Sequence, residues 1–380
     1  MTNPFEIFMV ATPGLEKALH AEALANGFAD AKMTPGGIAI IGTWEDVWRA
    51  NLVMRGATRI LARLGSFMAF HLAQLDKRAR KFPWGEVLRP DVPVRVEVST
   101  SRKSKIYHAG AATQRVETAL KESHAMTISA DAPVVIKLRI DDNRVTISVD
   151  TSGASLHKRG HKEAVGKAPM RETLAALMLR ECGYDGREPV LDPMCGSGTF
   201  LIEAAEMAMG LHPGRTRSFA FQQLATFDAD AWQALLKTGE PRTPTQRFHG
   251  SDRDAGAIRM AGANADKAGV GDWITFQNLA ASDVKRPDGP PGLIICNPPY
   301  GGRIGNQKML YGVYAGLGQA ILQEFAGWRV GLVTSEQGLA KATGLPFKPK
   351  GAPIAHGGLK IWLFQTGQLG AETTRPAPPA

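Results

Sequence analysis

A chain of 380 residues with 44 % hydrophobic content has the length of two or three domains and enough apolar side chains to fill their cores. Its three cysteines, Cys182, Cys195 and Cys296, form no C-x-x-C pair and suggest no disulfide framework or zinc site, and no apolar run approaches the roughly 18 residues of a membrane-spanning helix. The 45 Lys+Arg against 36 Asp+Glu give +9, and residues 1–160, with 22 basic and 16 acidic residues, hold +6 of it. A basic front suits a polyanionic partner, although charge alone does not demand one. With no basic n-region in Met1-Thr2-Asn3-Pro4-Phe5-Glu6, the chain reads as cytoplasmic.

Phe5 to Val10 reads as a strand, and Pro13 to Asn26 carries apolar residues at helical spacing until Gly27 stops it. Two short strands flank Pro35-Gly36-Gly37. Helical spacing returns from Thr43 to about Leu64, with Trp44, Val47, Trp48 and Leu52 as core. These elements make a small α+β unit.

From about 65 to 152 the pattern gives strands at Val92–Thr100, Val134–Ile140 and Val145–Asp150, and a helix near Ala111–Glu122. The turn Asp141-Asp142-Asn143 makes the last pair a hairpin. Ahead of the helix, Arg102, Lys103 and Lys105 stand beside Tyr107. Such a cluster grips phosphates and stacks a base, or is simply a solvated loop.

Residues 161–367 alternate strand and helix, the pattern of a doubly wound sheet. A helix with Pro169 in its first turn runs to Cys182-Gly183, and the strand Val190-Leu191-Asp192 follows. The stretch 211–246, rich in Pro, Thr and Phe, is an insertion with one helix around Trp232. After it come a strand ending at Asp252, a helix from Ala255 to Ala268, strands at Ile274–Gln277 and 292–296, a helix around 311–326, and strands at Arg329–Thr334 and Lys360–Gln365. Residues 368–380 are expected to be a disordered tail.

Two strand ends carry the chemistry. Asp192-Pro193-Met194-Cys195-Gly196-Ser197-Gly198-Thr199 follows a strand and opens a helix, so its glycines admit a ligand close to the backbone. It has no P-loop lysine and no third dinucleotide glycine, so it is not a phosphate cradle. Asp192 offers a carboxylate to an ammonium, Asp252 suits a ribose diol, and Asp283 stands where an acid accepts from an adenine amino group. Acids for amine and sugar without a phosphate element describe S-adenosylmethionine. At the second strand end, Asn297-Pro298-Pro299-Tyr300 leaves the sheet abruptly, because two prolines cannot continue a ladder. The Asn297 amide oxygen and the Pro298 carbonyl suit the two N–H groups of a planar amine, with Tyr300 stacking on its ring. Taken alone, the four residues are also a common turn.

Asn297 to Tyr300 resembles motif IV of the amino-methyltransferases, which methylate exocyclic base nitrogens or a glutamine amide. A pyrimidine C5-methyltransferase would need a thiolate after a proline in that loop, where Tyr300 stands, and Cys296 within the strand reads as core. The stretch 65–152, with Asp150-Thr151-Ser152-Gly153 and Leu156-His157-Lys158-Arg159-Gly160, resembles the THUMP domain and linker of RNA-modifying enzymes. Over nearly its whole length the chain resembles the THUMP-containing bacterial 23S rRNA guanine-N2-methyltransferases, on Gly14-Leu15-Glu16, Ala168-Pro169, Glu172 to Ala176, Gly250-Ser251-Asp252 and Asn264-Ala265 besides the two loops.

That resemblance implies an α/β fold, a Rossmann-like class I methyltransferase domain at 156–367 preceded by an α+β region, ferredoxin-like at 1–64 and THUMP at 65–155. It implies S-adenosylmethionine on Asp192 to Thr199, Asp252 and Asp283, guanine at Asn297, Pro298, Pro299 and Tyr300, and RNA on Arg102, Lys103, Lys105, Tyr107, Lys158 and Arg159. No metal and no membrane is implied. Some members carry a second methyltransferase domain; none follows here, so a second modification is not expected. The alternatives are a tRNA guanine-N2-methyltransferase, an adenine-N6 or glutamine methyltransferase, and an RNA-binding assembly factor without catalysis.

Overall fold

The computed structural model describes residues 4–161, 170–239, 241–301 and 307–370. The expected helix start at Ala168-Pro169 and nearly all of the expected tail lie outside them. Two compact units emerge, one of Met1–Ala11, Leu19–Arg159 and His212–Thr238, the other of Thr12–Ala18, Gly160–Leu211 and Gly239–Ala380.

In chain order the first region holds β1 (Phe5–Val10), α1 (Glu16–Ala25), β2 (Lys32–Thr34), β3 (Gly37–Gly42), α2 (Trp44–Val53) and β4 (Arg59–Met68). It continues with α3 (Leu72–Lys81), β5 (Val94–Thr100), α4 (Ala109–His124), β6 (Val134–Asp141) and β7 (Arg144–Asp150). Because β4 pairs with β7 along its length, the ferredoxin-like strands and those after them form a single seven-stranded sheet, ordered β2-β3-β1-β4-β7-β6-β5. Its pairings are antiparallel except β5 with β6.

β4 corrects the helical spacing read as far as Leu64. Ile60, Ala62 and Leu64 are buried while Arg59, Leu61 and Arg63 between them are not, a period of two that a pleated strand imposes. The helix α3 is an element that the sequence reading leaves out. It buries Leu75 and Ala79, four positions apart on one face, while Asp76, Lys77, Arg78, Arg80 and Lys81 make the segment strongly polar overall.

The second region holds α5 (Glu172–Glu181), β8 (Val190–Asp192), α6 (Thr199–Met209), α7 (Ala229–Leu236), β9 (Phe248–Asp252), α8 (Ala255–Ala268), β10 (Ile274–Asn278) and β11 (Leu293–Cys296). It ends with α9 (Gln307–Glu324), β12 (Arg329–Thr334), α10 (Gln337–Ala342), β13 (Ile354–His356) and β14 (Leu359–Gln365). The sheet order is β10-β9-β8-β11-β12-β14-β13. From β10 to β12 every pairing is parallel, and β14 enters antiparallel between β12 and β13. The order reverses beside β8, which makes the carboxyl ends of β8 and β11 a topological switch point.

Although it lies between α6 and β9 in sequence, most of the insertion, His212–Thr238, belongs to the first unit. Its helix α7 carries Trp232 edge-on to Phe219 and Phe221, and Trp48 of α2 meets Phe221 and Phe227. Such ring pairs contribute about 0.5–1.5 kcal/mol each beyond area burial. Arg217 donates to the carbonyls of Ser152, Ala154, Ser155 and Lys158, so the segment is held to the linker that follows β7. Among the described residues no helix is long and apolar enough to cross a membrane.

Candidate active site

Parallel strands leave a sheet in the same direction, so the loops after neighbouring strands emerge together. β8 and β11 are neighbours, with Val190 opposite Leu293 and Leu191 opposite Ile294. The Asp192 and Asn297 loops therefore share one rim.

In the first loop Gly196 (φ +52°) and Gly198 (φ +82°) take left-handed conformations that glycine adopts without steric cost. A Cβ on Gly198 would stand 3.2 Å from the Ala261 Cβ of α8, whereas one on Gly196 would meet nothing within 4 Å. Gly198 thus serves packing as well as the turn, and Gly196 leaves open space beside the backbone. Asp192 is 2 % exposed and accepts the Met194 N–H at 3.0 Å. Burial, seconded by the nearby Asp252 charge, pushes its carboxyl up to about 8. A carboxyl so placed gains most from a cationic ligand. Asp252 braces the loop, its Oδ2 accepting from Gly196 N at 3.1 Å and its Oδ1 from Asp254 N at 2.9 Å. An ionised carboxylate has about four acceptor positions, so about two remain for a diol.

A cavity of about 350 Å³ opens here, walled by Pro193, Met194, Asp252, Ser282, Pro299 and Met309. On the α9 side, Gly312 and Gly316 add no side chain to the wall, while Met309, Leu310 and Val313 supply its apolar part. Its mostly apolar lining with one acid suits a small ligand that is part ring and part polar. Asp283 does not reach it: Ala280 to Ser282 form the wall, while Asp283 is exposed and holds the Ser282 hydroxyl at 3.1 Å. Ser197 is half-buried and Thr199 buried at the start of α6. Burial pushes the Cys195 and Cys296 thiols well above the ordinary range, which favours the thiol over the thiolate at both.

The second loop holds the open valence. Asn297 Oδ1 is buried and has no hydrogen-bond partner among the described residues. Leaving such an acceptor unfilled costs about 1–3 kcal/mol, which a ligand N–H would recover. The loop around it is tied down. Tyr314 of α9 donates its hydroxyl to the Pro299 carbonyl at 3.2 Å, and Gly301 N donates to Glu336 Oε1 at 3.1 Å, one on each side of Tyr300. Burial raises the Tyr314 phenol above its ordinary range, so it stays a donor. Tyr300 itself is 6 % exposed and Pro298 is buried, so the Tyr300 ring is not an open platform in this conformation.

Sequence reasoning missed Tyr314 and Glu336. Tyr314 lies in the middle of a helix with no local motif to mark it, whereas Glu336, two positions beyond the strand end at Thr334, carries the same strand-end signal as Asp192 and Asp252.

The cationic set divides. Arg102, Lys103, Lys105 and Tyr107 are all exposed on the loop between β5 and α4, and Lys158 is exposed as well. Arg159 is a correction. It is 2 % exposed, and its guanidinium donates to the carbonyls of Leu156 at 2.8 Å and Arg55 at 2.6 Å, so it holds the linker and cannot touch RNA.

Residues 159–350 match the family described as UPF0020, RMKL-like, methyltransferase domain, and residues 6–61 match the RlmL ferredoxin-like domain. "Putative RNA methyltransferase slr0064" of Synechocystis sp. is 32 % identical over 375 residues, covering 96 % of each chain. "Ribosomal RNA large subunit methyltransferase K/L" of Methylococcus capsulatus is 34 % identical over 362 residues, or 91 % of this chain and 48 % of that one, so the chain spans about half of that relative. The crystal structure of "SMU.472, a putative methyltransferase complexed with SAH" superposes with a TM-score of 0.86 at 25 % identity, covering 98 % of this chain and 100 % of that one. The chain belongs to the RMKL-like methyltransferase family, with an RlmL-type ferredoxin-like domain at its front.

Proposed function

We propose that this member of the RMKL-like methyltransferase family moves a methyl group from S-adenosylmethionine to the exocyclic N2 of a guanine in RNA, with 23S rRNA as the substrate. The observation that carries the reading is the buried Asn297 Oδ1, without a hydrogen-bond partner among the described residues, on the rim it shares with the Asp192 loop. When bound, the donor supplies a methyl on a cationic sulfur. Asp192 is the charge partner for its ammonium and Asp252 for its ribose hydroxyls, with Pro193 to Thr199 around them. Asn297 accepts one N–H of the guanine amine, and the Pro298 carbonyl takes the other. With both hydrogens held, the nitrogen lone pair is fixed in direction, and such alignment supplies about 7–11 kcal/mol in favourable cases. As the new N–C bond forms, the methyl carbon's bond to sulfur would break, the neutral thioether would leave, and the methylated nitrogen, made acidic by its positive charge, would give up one proton to water. Tyr300 stacks on the base once the loop admits it, while Tyr314 and Glu336 keep the loop in register.

Residues 65–155 act as the THUMP domain, and Arg102, Lys103, Lys105, Tyr107 and Lys158 contact the RNA. Rotating a guanine out of a stem costs a few kcal/mol, which stacking and backbone contacts offset. Incubation with labelled S-adenosylmethionine and RNA from cells lacking the protein, followed by nucleoside separation, is expected to yield N2-methylguanosine from 23S rRNA. Label in N6-methyladenosine, in tRNA, or in no RNA would refute this assignment.

A further inference from the structure

The positive charge of the first region is unevenly placed. Residues 55–160 hold 19 Lys+Arg against 10 Asp+Glu, while residues 1–54 hold 3 against 6. Within the basic stretch, one residue joins two segments distant in sequence. Asn143, in the turn between β6 and β7 at φ +62°, accepts the Lys105 N–H on its side-chain oxygen at 2.8 Å. Its own N–H donates to Ser104 Oγ at 3.3 Å, and its carbonyl accepts the Ala69 N–H at 2.9 Å. The chain before α3 and the loop before α4 are thereby fixed to one hairpin.

Further bonds stiffen both segments. Ser104, 6 % exposed, donates to the Ile140 carbonyl at 3.2 Å, and Thr100 Oγ1 donates to the Tyr107 carbonyl at 3.0 Å. Phe70 N donates to Gln74 Oε1 at 3.0 Å. What this braced pair holds out to solvent is two aromatic rings, Phe70 at 41 % and Tyr107 at 77 % exposure. Lys105 Nζ stands 5.5 Å from the Phe70 ring centre, and Arg102 and Lys103 are exposed on the same turn. Of the neighbouring acids, Asp141 is engaged by Arg139 at 3.1 Å, and Asp142 is exposed.

We propose that Phe70 and Tyr107 form a stacking platform for an unpaired nucleobase, with Arg102, Lys103 and Lys105 on the flanking phosphates, so that this surface takes single-stranded RNA in preference to duplex. The inference rests on RNA being the substrate and goes beyond it in assigning Phe70 to contact and Asn143 to positioning. Only a base outside a duplex presents a free π face, and every base has one, so the platform binds without reading sequence. The backbone that carries the rings is already fixed, so binding orders only their side-chain torsions, and the cations supply the part of the affinity that salt weakens.

Binding of the full chain to a fluorescein-labelled RNA strand of roughly 12 nucleotides, and to a duplex of the same length, tests this by anisotropy without methyl donor. The wild-type protein is expected to prefer the single strand. The double variant Phe70→Ala, Tyr107→Ala should lose about tenfold in single-strand affinity with an unchanged salt slope, because no charge is removed. Phe70→Trp with Tyr107→Phe, which keeps both π faces, should restore it. Lys103→Ala should instead flatten the salt slope by roughly 0.7. Single-strand affinity of the double variant within about twofold of wild type, or an equal loss on duplex, would overturn the platform. Wild-type protein that binds neither RNA would instead overturn the function proposed above, so the two failures are distinct.

Discussion

Both units are built on seven-stranded sheets, yet they display their chemistry in opposite ways. In the second unit five parallel strands, β10 to β12, end on one rim, and the groups that matter are buried there: Asp192, the Asn297 oxygen that has no partner among the described residues, and the Tyr314 and Glu336 bonds to the loop. In the first unit the nearly all-antiparallel sheet sends successive strand ends to opposite rims, and Arg102, Lys103, Lys105 and Tyr107 stand exposed on a braced loop. Parallel topology converges loops into a pocket where one misplaced atom matters. Antiparallel topology gives a surface where contributions add.

Substitutions should obey that contrast. The largest effect is expected from Asn297→Ala, which should cut methyl transfer by about a thousandfold while donor affinity stays within about twofold. Single-turnover rates and calorimetric donor binding check it, and equal loss of both would place Asn297 in the donor site instead. Next, Tyr314→Phe and Glu336→Ala each free one side of the loop and should lower kcat by about ten- to a hundredfold, with donor binding unchanged. Glu336→Gln retains an acceptor for Gly301 N and should recover most of the rate. If Gln is as slow as Ala, the Glu336 charge rather than the hydrogen bond is what counts.

A smaller effect concerns pH. The Asp192 carboxyl is raised to about 8 in the folded protein, so it is largely neutral below that value and ionised above it. Affinity for a cationic donor should therefore rise as pH increases from about 6 to about 9, and Asp192→Asn should flatten the profile. The sign for stability is opposite. An acid whose folded value is raised costs stability as pH climbs from the unfolded value towards the folded one, so the apo protein should lose stability over that window, and more weakly with donor bound. Thermal melts across pH with and without donor separate the two.

The smallest change in function is expected at Arg159. Its buried bonds to two carbonyls predict that Arg159→Ala lowers stability by about 1–3 kcal/mol while the salt slope of RNA binding stays the same. A changed slope with an unchanged melting temperature would return Arg159 to the RNA surface.

Much of this was legible in the residues. The strand-then-glycine loop at Asp192 and the strand-then-proline loop at Asn297 are local patterns, fixed by which residues can extend a ladder or turn out of one, and they needed no neighbour to be seen. The alternation of strand and helix over 161–367 likewise follows from period and punctuation.

What required the folded chain was everything set by pairing at a distance. Which strands lie side by side decided that the Asp192 and Asn297 loops share a rim, and the β4–β7 pairing merged two expected units into one sheet. Whether a guanidinium faces solvent or spends itself on carbonyls separated Arg159 from Lys158, although the two are adjacent and equally basic in sequence. A side chain's charge is written in its own formula, but its burial and its partners belong to residues as far off as Arg55 is from Arg159, and only packing decides those.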